Sequence, residues 1–287
     1  MKSDLHLHTT ASDGKLEPRE LVALAVYNGL DVIAITDHDT VDGVAPALAA
    51  AEALHSLTVI PGVELSTDVS QGEVHVLGYF IDYTDKDFIT KLRWIRNKRE
   101  ERAKKMIAKL GELGMELQWQ RILELAKDGS IGRPHVAWAL LEKGYVTSFK
   151  EAFDKYIGRN GPAYAERQKM TPTEAVSLIT DVRGLPVLAH PADISNLDEL
   201  LKELMEAGLV GMEVYYNGYA PDIIGRLTEF AESYGLVTTG GTDYHAFGDR
   251  LESKIGEIMA PPESINKLFE MADKRNLELM RHFSQAR

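Results

Sequence analysis

The chain has 287 residues, 44% hydrophobic and 26% charged, a composition that excludes fibrous and disordered classes and fits one large α/β domain or a domain with an insertion. A net charge of −12 argues against a general nucleic-acid coat, whose footprint is basic. With no cysteine at all, disulfides, thiolate zinc sites, iron–sulfur clusters and cysteine nucleophiles are excluded, so any metal must be held by His and carboxylate.

The first predicted strand, 2–8, contains Asp4-Leu5-His6-Leu7-His8, and its period of two puts His6 and His8 on one face, where two imidazoles can chelate one ion. Asp13, in Ser12-Asp13-Gly14 just after it, is turn chemistry within reach of the same pocket. Further strands are predicted at 31–36, 57–63, 74–81, 186–190, 210–215, 236–241 and 255–259. Helices alternate with them at 18–29, 43–54, 172–182, 197–207, 221–234 and 263–273. This βα alternation predicts a mostly parallel sheet, and seven or eight βα units favour a β/α barrel, with an open doubly wound sheet as the alternative that the count alone does not separate. Ionisable residues of metal-ligand type recur at strand ends: His38 in Thr36-Asp37-His38-Asp39, Glu64, His190, and Asp243 and His245 in Thr242-Asp243-Tyr244-His245. In a barrel those ends converge on one face. His75 lies early in its strand; alone it reads as a core histidine, and the company of the other sites promotes it. His55 and His282 have no such company and are assigned to helix ends or surface.

Between the two barrel halves, 88–171 reads as nearly all helix, and residues 91–170 carry a local balance of +8 against −20 for the rest of the chain. Clustered positive charge orients anionic ligands, although for most charges between Lys91 and Lys109 a solvated helix face is the simpler reading. Within this segment Gly132-Arg133-Pro134-His135 predicts a helix start whose free N–H groups, with Arg133 and His135, suit a phosphate. The domain reading is 1–90 and 171–287 for the barrel, with 91–170 inserted. No apolar run approaches the ~20 residues of a membrane span and no signal-peptide pattern opens the sequence, so a cytoplasmic protein without membrane contact is expected.

Together, His6-Leu7-His8, Asp13, Thr36-Asp37-His38-Asp39, Gly62-Val63-Glu64, His75, His190-Pro191 and Gly240-Gly241-Thr242-Asp243-Tyr244-His245 resemble the polymerase and histidinol phosphatase (PHP) family of metal-dependent phosphoesterases. The resemblance implies a distorted seven-stranded, TIM-like β/α barrel with an inserted all-helical subdomain, and two or three divalent metals at its C-terminal mouth. It would give His6, His8, Glu64 and Asp243 to a first metal, Glu64, His75 and His190 to a second, and Asp13, His38 and His245 to a third. Mixed His and carboxylate ligands suit Mn²⁺, with Fe²⁺ or Zn²⁺ as alternatives. Neither a P-loop nor a G-x-S-x-G elbow is present, whereas clustered divalent ions supply both charge neutralisation and hydroxide for phosphate ester hydrolysis.

The helical insertion, with Tyr156-Ile157-Gly158-Arg159 and Pro162-Ala163-Tyr164, resembles the branch that contains 3′,5′-nucleoside bisphosphate phosphatases and short-RNA exonucleases. That likeness implies that Arg133 and His135 hold substrate phosphate. The expected activity is removal of the 3′-phosphate from a 3′,5′-bisphosphorylated nucleoside by a metal-activated hydroxide. Arg133 would stabilise the developing charge, and His245 is a candidate acid if its metal site is empty. The alternatives are a 5′→3′ exonuclease on short RNA and a histidinol-phosphate phosphatase. A reading from a different class is a non-catalytic, metal-stabilised binding module; against it, no ligand position holds an apolar residue. A small phosphorylated nucleotide or short RNA is the expected partner, and no stable protein partner is expected.

Overall fold

The computed structural model describes residues 1–54, 57–69, 72–126, 129–166, 170–248 and 252–285. Seven strands, β1 (Ser3–Leu7), β2 (Val32–Ile35), β3 (Thr58–Val69), β4 (Gly72–Tyr79), β5 (Leu185–Leu188), β6 (Gly211–Tyr216) and β7 (Val237–Gly241), pair in chain order in one sheet. β1, β2 and β5 are buried along their whole length. Continuous runs such as Val32-Ile33-Ala34-Ile35 therefore suit them better than alternation would. The sheet nearly closes into a barrel: Leu7 bridges Tyr244 just beyond β7, and His8 N–H donates to the Tyr244 carbonyl at 3.0 Å.

Most pairings are parallel, as expected, and one reversed strand makes the sheet mixed. β1–β2–β3 and β5–β6–β7 are parallel, but β4 runs antiparallel to both β3 and β5. β3 does not end at 63; it continues to Val69 and pairs back as a hairpin with β4, Ser66 opposite His75. The expected strand at 255–259 is a turn. Gly256 there has φ +76° and gives its N–H to the Asp4 carboxylate at 2.8 Å, so its donor is spent on a side chain and not on a sheet neighbour.

Helices α1 (Pro18–Tyr27) and α2 (Val44–Leu54) lie between the first strands. The inserted helical region follows β4: α3 (Lys86–Glu112), α4 (Trp119–Ala126), α5 (Arg133–Glu142), α6 (Phe149–Ala152) and a π-helical turn, Phe153–Ile157. Then come α7 (Pro172–Asp181), α8 (Leu197–Ala207), α9 (Pro221–Ser233) and α10 (Pro262–Gln285). α3 starts before residue 91 because Asp85 caps it, accepting from Phe88 N–H at 2.8 Å. Its first turns pack Phe88, Leu92 and Ile95 into the barrel core. From Ala103 onward the helices build a separate core that includes Met106, Leu110, Ile122, Val136 and Leu140. Among the described residues no helix is long and apolar enough to cross a membrane.

Candidate metal centre and anion cavity

The strand directions explain where the ligand-type residues stand. His6 and His8 close β1, His38 follows β2, His190 follows β5, and Asp243 and His245 follow β7. Because β4 is reversed, His75 near its beginning arrives at the same end of the barrel as residues beyond the ends of its neighbours. Glu64, inside the lengthened β3, lies at the centre of this group. All nine side chains are brought together.

Three overlapping clusters result, each with its ligand-type atoms within 4.8 Å of one another: His6, His8, Glu64 and Asp243; His8, Asp13, His38 and His245; and His38, Glu64 and His75. His190 joins through Nε2, 3.2 Å from Glu64 Oε1, while His75 Nδ1 lies 2.8 Å from the same oxygen. In the first cluster His6 Nε2 is 3.3 Å from both Glu64 Oε2 and Asp243 Oδ1, and His8 Nε2 is 3.3 and 3.0 Å from the same two atoms. The backbone is strained where it delivers these groups: Asp39, His190 and Asp243 have φ of 51°, 28° and 52°, a region costly to non-glycine residues and concentrated at functional sites.

The donor set fits cations. His6 Nε2, His8 Nε2, Asp13 Oδ1, Glu64 Oε2 and Asp243 Oδ1 are buried yet complete no hydrogen bond among the described residues, and each such orphan costs ~1–3 kcal/mol unless a ligand satisfies it. Their tautomers are set from behind. His6 Nδ1 lies 3.0 Å from Glu213 Oε1, and His245 Nδ1 lies 2.8 Å from the Asp243 carbonyl, which leaves Nε2 of each ring free to ligate. Burial pushes the Glu64 carboxyl up, but the imidazoles of His38, His6 and His75 outweigh it and hold Glu64 well below the carboxylate range. Burial likewise pushes His8 down, and the Asp243 and Glu64 carboxylates override it to hold His8 at about 10.

Beside the centre opens a cavity of about 310 Å³, bounded by Asp13, His38, His75 and His245 on one side and by Arg99, Arg102 and Arg133 of the inserted helices. Arg133 pairs with Glu73, which Arg102 Nη1 also reaches at 3.1 Å. Burial raises the Glu73 carboxyl, but Arg133, His75 and Arg102 bring it down to about 2. Arg102 is 8% exposed, and its Nη2 is buried without a hydrogen-bond partner among the described residues. Arg99 is held by Asp39 and Ser66.

The two halves of the Arg-Pro-His motif separate. Arg133 borders this cavity, whereas His135 borders a smaller one of about 160 Å³ that shares Asp13 and Phe247 with it. His135 Nδ1 accepts the Gly132 N–H at 2.9 Å, closing the helix start and leaving the proton of the neutral ring on Nε2. His55 lies outside the described residues, and His282 falls within α10.

Sequence reasoning missed four contributors. Glu213 binds His6 and also accepts the His190 N–H at 2.9 Å; a single acid between the buried Met212 and Val214 was the available signal. Tyr216 donates to Asp243 Oδ2 at 2.8 Å from the last position of β6, one residue beyond the predicted strand 210–215. Arg99 and Arg102 were lost in a basic run.

The PHP domain matches residues 4–160 of the chain. A 3′,5′-nucleoside bisphosphate phosphatase from Chromobacterium violaceum is 32% identical over 256 residues, 86% of this chain and 88% of the relative. The 5′-3′ exoribonuclease Rnm of Escherichia coli is 34% identical, covering 84% of each chain. A solved structure of an amidohydrolase from Chromobacterium violaceum, with bound sulfate and no metal, superposes with a TM-score of 0.86 at 30% identity over 94% of this chain and 97% of that one.

Proposed function

The chain belongs to the PHP family of metal-dependent phosphoesterases, and from that premise we propose that it hydrolyses a phosphate monoester of a nucleotide, the 3′-phosphate of a 3′,5′-nucleoside bisphosphate. The observation that carries this reading is the junction of a nine-residue His and carboxylate centre with a cavity faced by three arginines. One side suits the reacting phosphoryl group and the other a second phosphate. The unsatisfied Nη2 of Arg102 is a buried cationic donor of the kind an anionic ligand completes.

In this proposal His6, His8, Glu64 and Asp243 hold one divalent ion, Glu64, His75 and His190 a second, and Asp13, His38 and His245 a third, with Mn²⁺ favoured. Such ions neutralise phosphoryl oxygens and lower the pKa of water. Glu213 fixes the His6 tautomer, and Arg133 steadies the anionic substrate from the inserted helices. His135 offers Nε2–H from the adjoining cavity. With Nδ1 bound to a carbonyl, His245 presents a lone pair at Nε2, which favours a ligand over an acid. The barrel, 1–90 and 171–287, carries the chemistry and 91–170 the recognition, acting in the cytoplasm.

A second reading, 5′→3′ removal of nucleotides from short RNA, is favoured by the identity to the Escherichia coli exoribonuclease and uses the same phosphate contacts. The test is a panel of adenosine 3′,5′-bisphosphate, 5′-phosphorylated RNA of a few nucleotides, and histidinol phosphate with added Mn²⁺, read by phosphate release and product length. Phosphate from the bisphosphate is expected. Turnover of histidinol phosphate alone would overturn the proposal.

A further inference from the structure

The cavity beside the metal-type centre is charged on only part of its wall. The remainder includes Phe149 and Phe153 from the end of the inserted helices and Phe247 from the segment after β7. All three stay half-buried although an apolar core lies close by. Their placement connects the two charged regions. The Phe247 ring stacks on His245 at 5.0 Å and 26°, and on Phe149 at 5.7 Å and 28°. The Phe153 ring lies 5.2 Å from the Arg133 guanidinium. Phe153 also opens the π-helical turn, a rare backbone form that collects at functional positions.

We propose that Phe153 and Phe247 form a stacking subsite for the nucleobase of the substrate, between the metal-type centre and the arginines. The proposal rests on the nucleotide reading above and adds to it the part of the ligand that carries no charge. A nucleoside 3′,5′-bisphosphate carries its two phosphates on O3′ and O5′ of one ribose, from which the base branches at C1′, so such a ligand can engage both charged regions and lay the flat face of its base on the aromatic part of the wall. Among the described lining residues the one hydroxyl side chain is Ser66, already engaged with Arg99. Stacking itself tolerates any base, so the subsite accepts all four.

The test uses the metal-loaded protein hydrolysing an aryl phosphate, with nucleoside 3′,5′-bisphosphates and base-free ribose 3,5-bisphosphate as competing inhibitors. The quantity read is the ratio of the two inhibition constants within each protein, so differences in folding and turnover cancel. In the parent the base should improve inhibition about tenfold, with the four bases agreeing within about fivefold. Phe153→Leu and Phe247→Leu should each bring the ratio close to one, and Phe153→Tyr should retain it. A ratio of one in the parent overturns the subsite, as does a ratio unchanged in both leucine variants. Phosphate release from the bisphosphates is scored separately: a base-dependent ratio without that release leaves the subsite standing and removes the substrate reading.

Discussion

Glu213 illustrates how much of the centre depends on residues that cannot themselves reach a cation. It is fully buried, touches the Nδ1 side of His6 and holds the His190 backbone N–H, so it fixes the orientation of two candidate ligands at once. Glu213→Gln keeps the shape but removes the charge that favours the required tautomer. Metal affinity should fall roughly 10–100-fold, and activity should return when Mn²⁺ is raised, as measured in metal-buffered assays. His8→Ala and Asp243→Asn should instead lose activity together with metal content, read by elemental analysis. The protonation of His8 sets a pH dependence. Its folded pKa is raised from 6.5 to about 10, so in the metal-free protein its contribution to stability is complete below pH 6.5 and disappears as pH rises through about 10. Metal binding must displace this proton. Mn²⁺ added in weak buffer at pH 7 should therefore release protons, and its affinity should rise with pH; no proton release would contradict the His8 assignment.

At the scale of elements, the barrel is closed by an approach that only glycine permits. A Cβ on Gly241, the last residue of β7, would stand 2.5 Å from His6 Cβ and 2.5 Å from His6 N, with backbone that cannot yield. Gly241→Ala should push β7 from β1 and disturb His6 and Asp243 together, at a cost of roughly 1–3 kcal/mol by overpacking. Thermal unfolding and Mn²⁺ titration would register both losses, and an unchanged melting temperature would count against the closure. The elements also show why some of the site was legible. His6 and His8 declared themselves by period two on a strand, and His38, His190 and Asp243 by their positions after strands. His75 stood at the wrong end of its strand for a parallel sheet, and the reversal of β4 is the physical reason it belongs. That reversal is set by the β3–β4 hairpin, in which Val69 already pairs with Gly72, a tight turn that the apolar pattern, read as a strand ending at 63, does not reveal. Arg99 and Arg102, three residues apart on one helix face, looked like any solvated charges, because their partners, Asp39 beyond β2 and Glu73 in β4, are distant in sequence.

At the scale of the whole molecule, the centre and the anion cavity come from two bodies of structure with different cores. The ligand-type residues belong to the barrel, whereas Arg102 and Arg133 come from helices packed around Met106, Leu110 and Val136. Metal binding and substrate recognition should accordingly separate under mutation. Arg133 pairs with Glu73 and contacts none of the nine ligand-type side chains through a described hydrogen bond, so Arg133→Ala should leave metal content intact. What it removes is a charge-assisted contact worth ~1.5–3 kcal/mol, equivalent to roughly a tenfold to hundredfold loss in kcat/KM. The loss should follow the substrate. If the second phosphate of a nucleoside bisphosphate engages the arginines as proposed, that substrate should suffer it, while an aryl phosphate without that group should be hydrolysed nearly as fast as by the parent. Steady-state kinetics on the two substrates distinguishes three arrangements: loss on the bisphosphate alone places Arg133 at the remote phosphate, and equal losses place it at the reacting phosphoryl group. No loss on either would reduce the positive balance of the inserted helices to ordinary solvated charge, and recognition would then have to rest on the barrel.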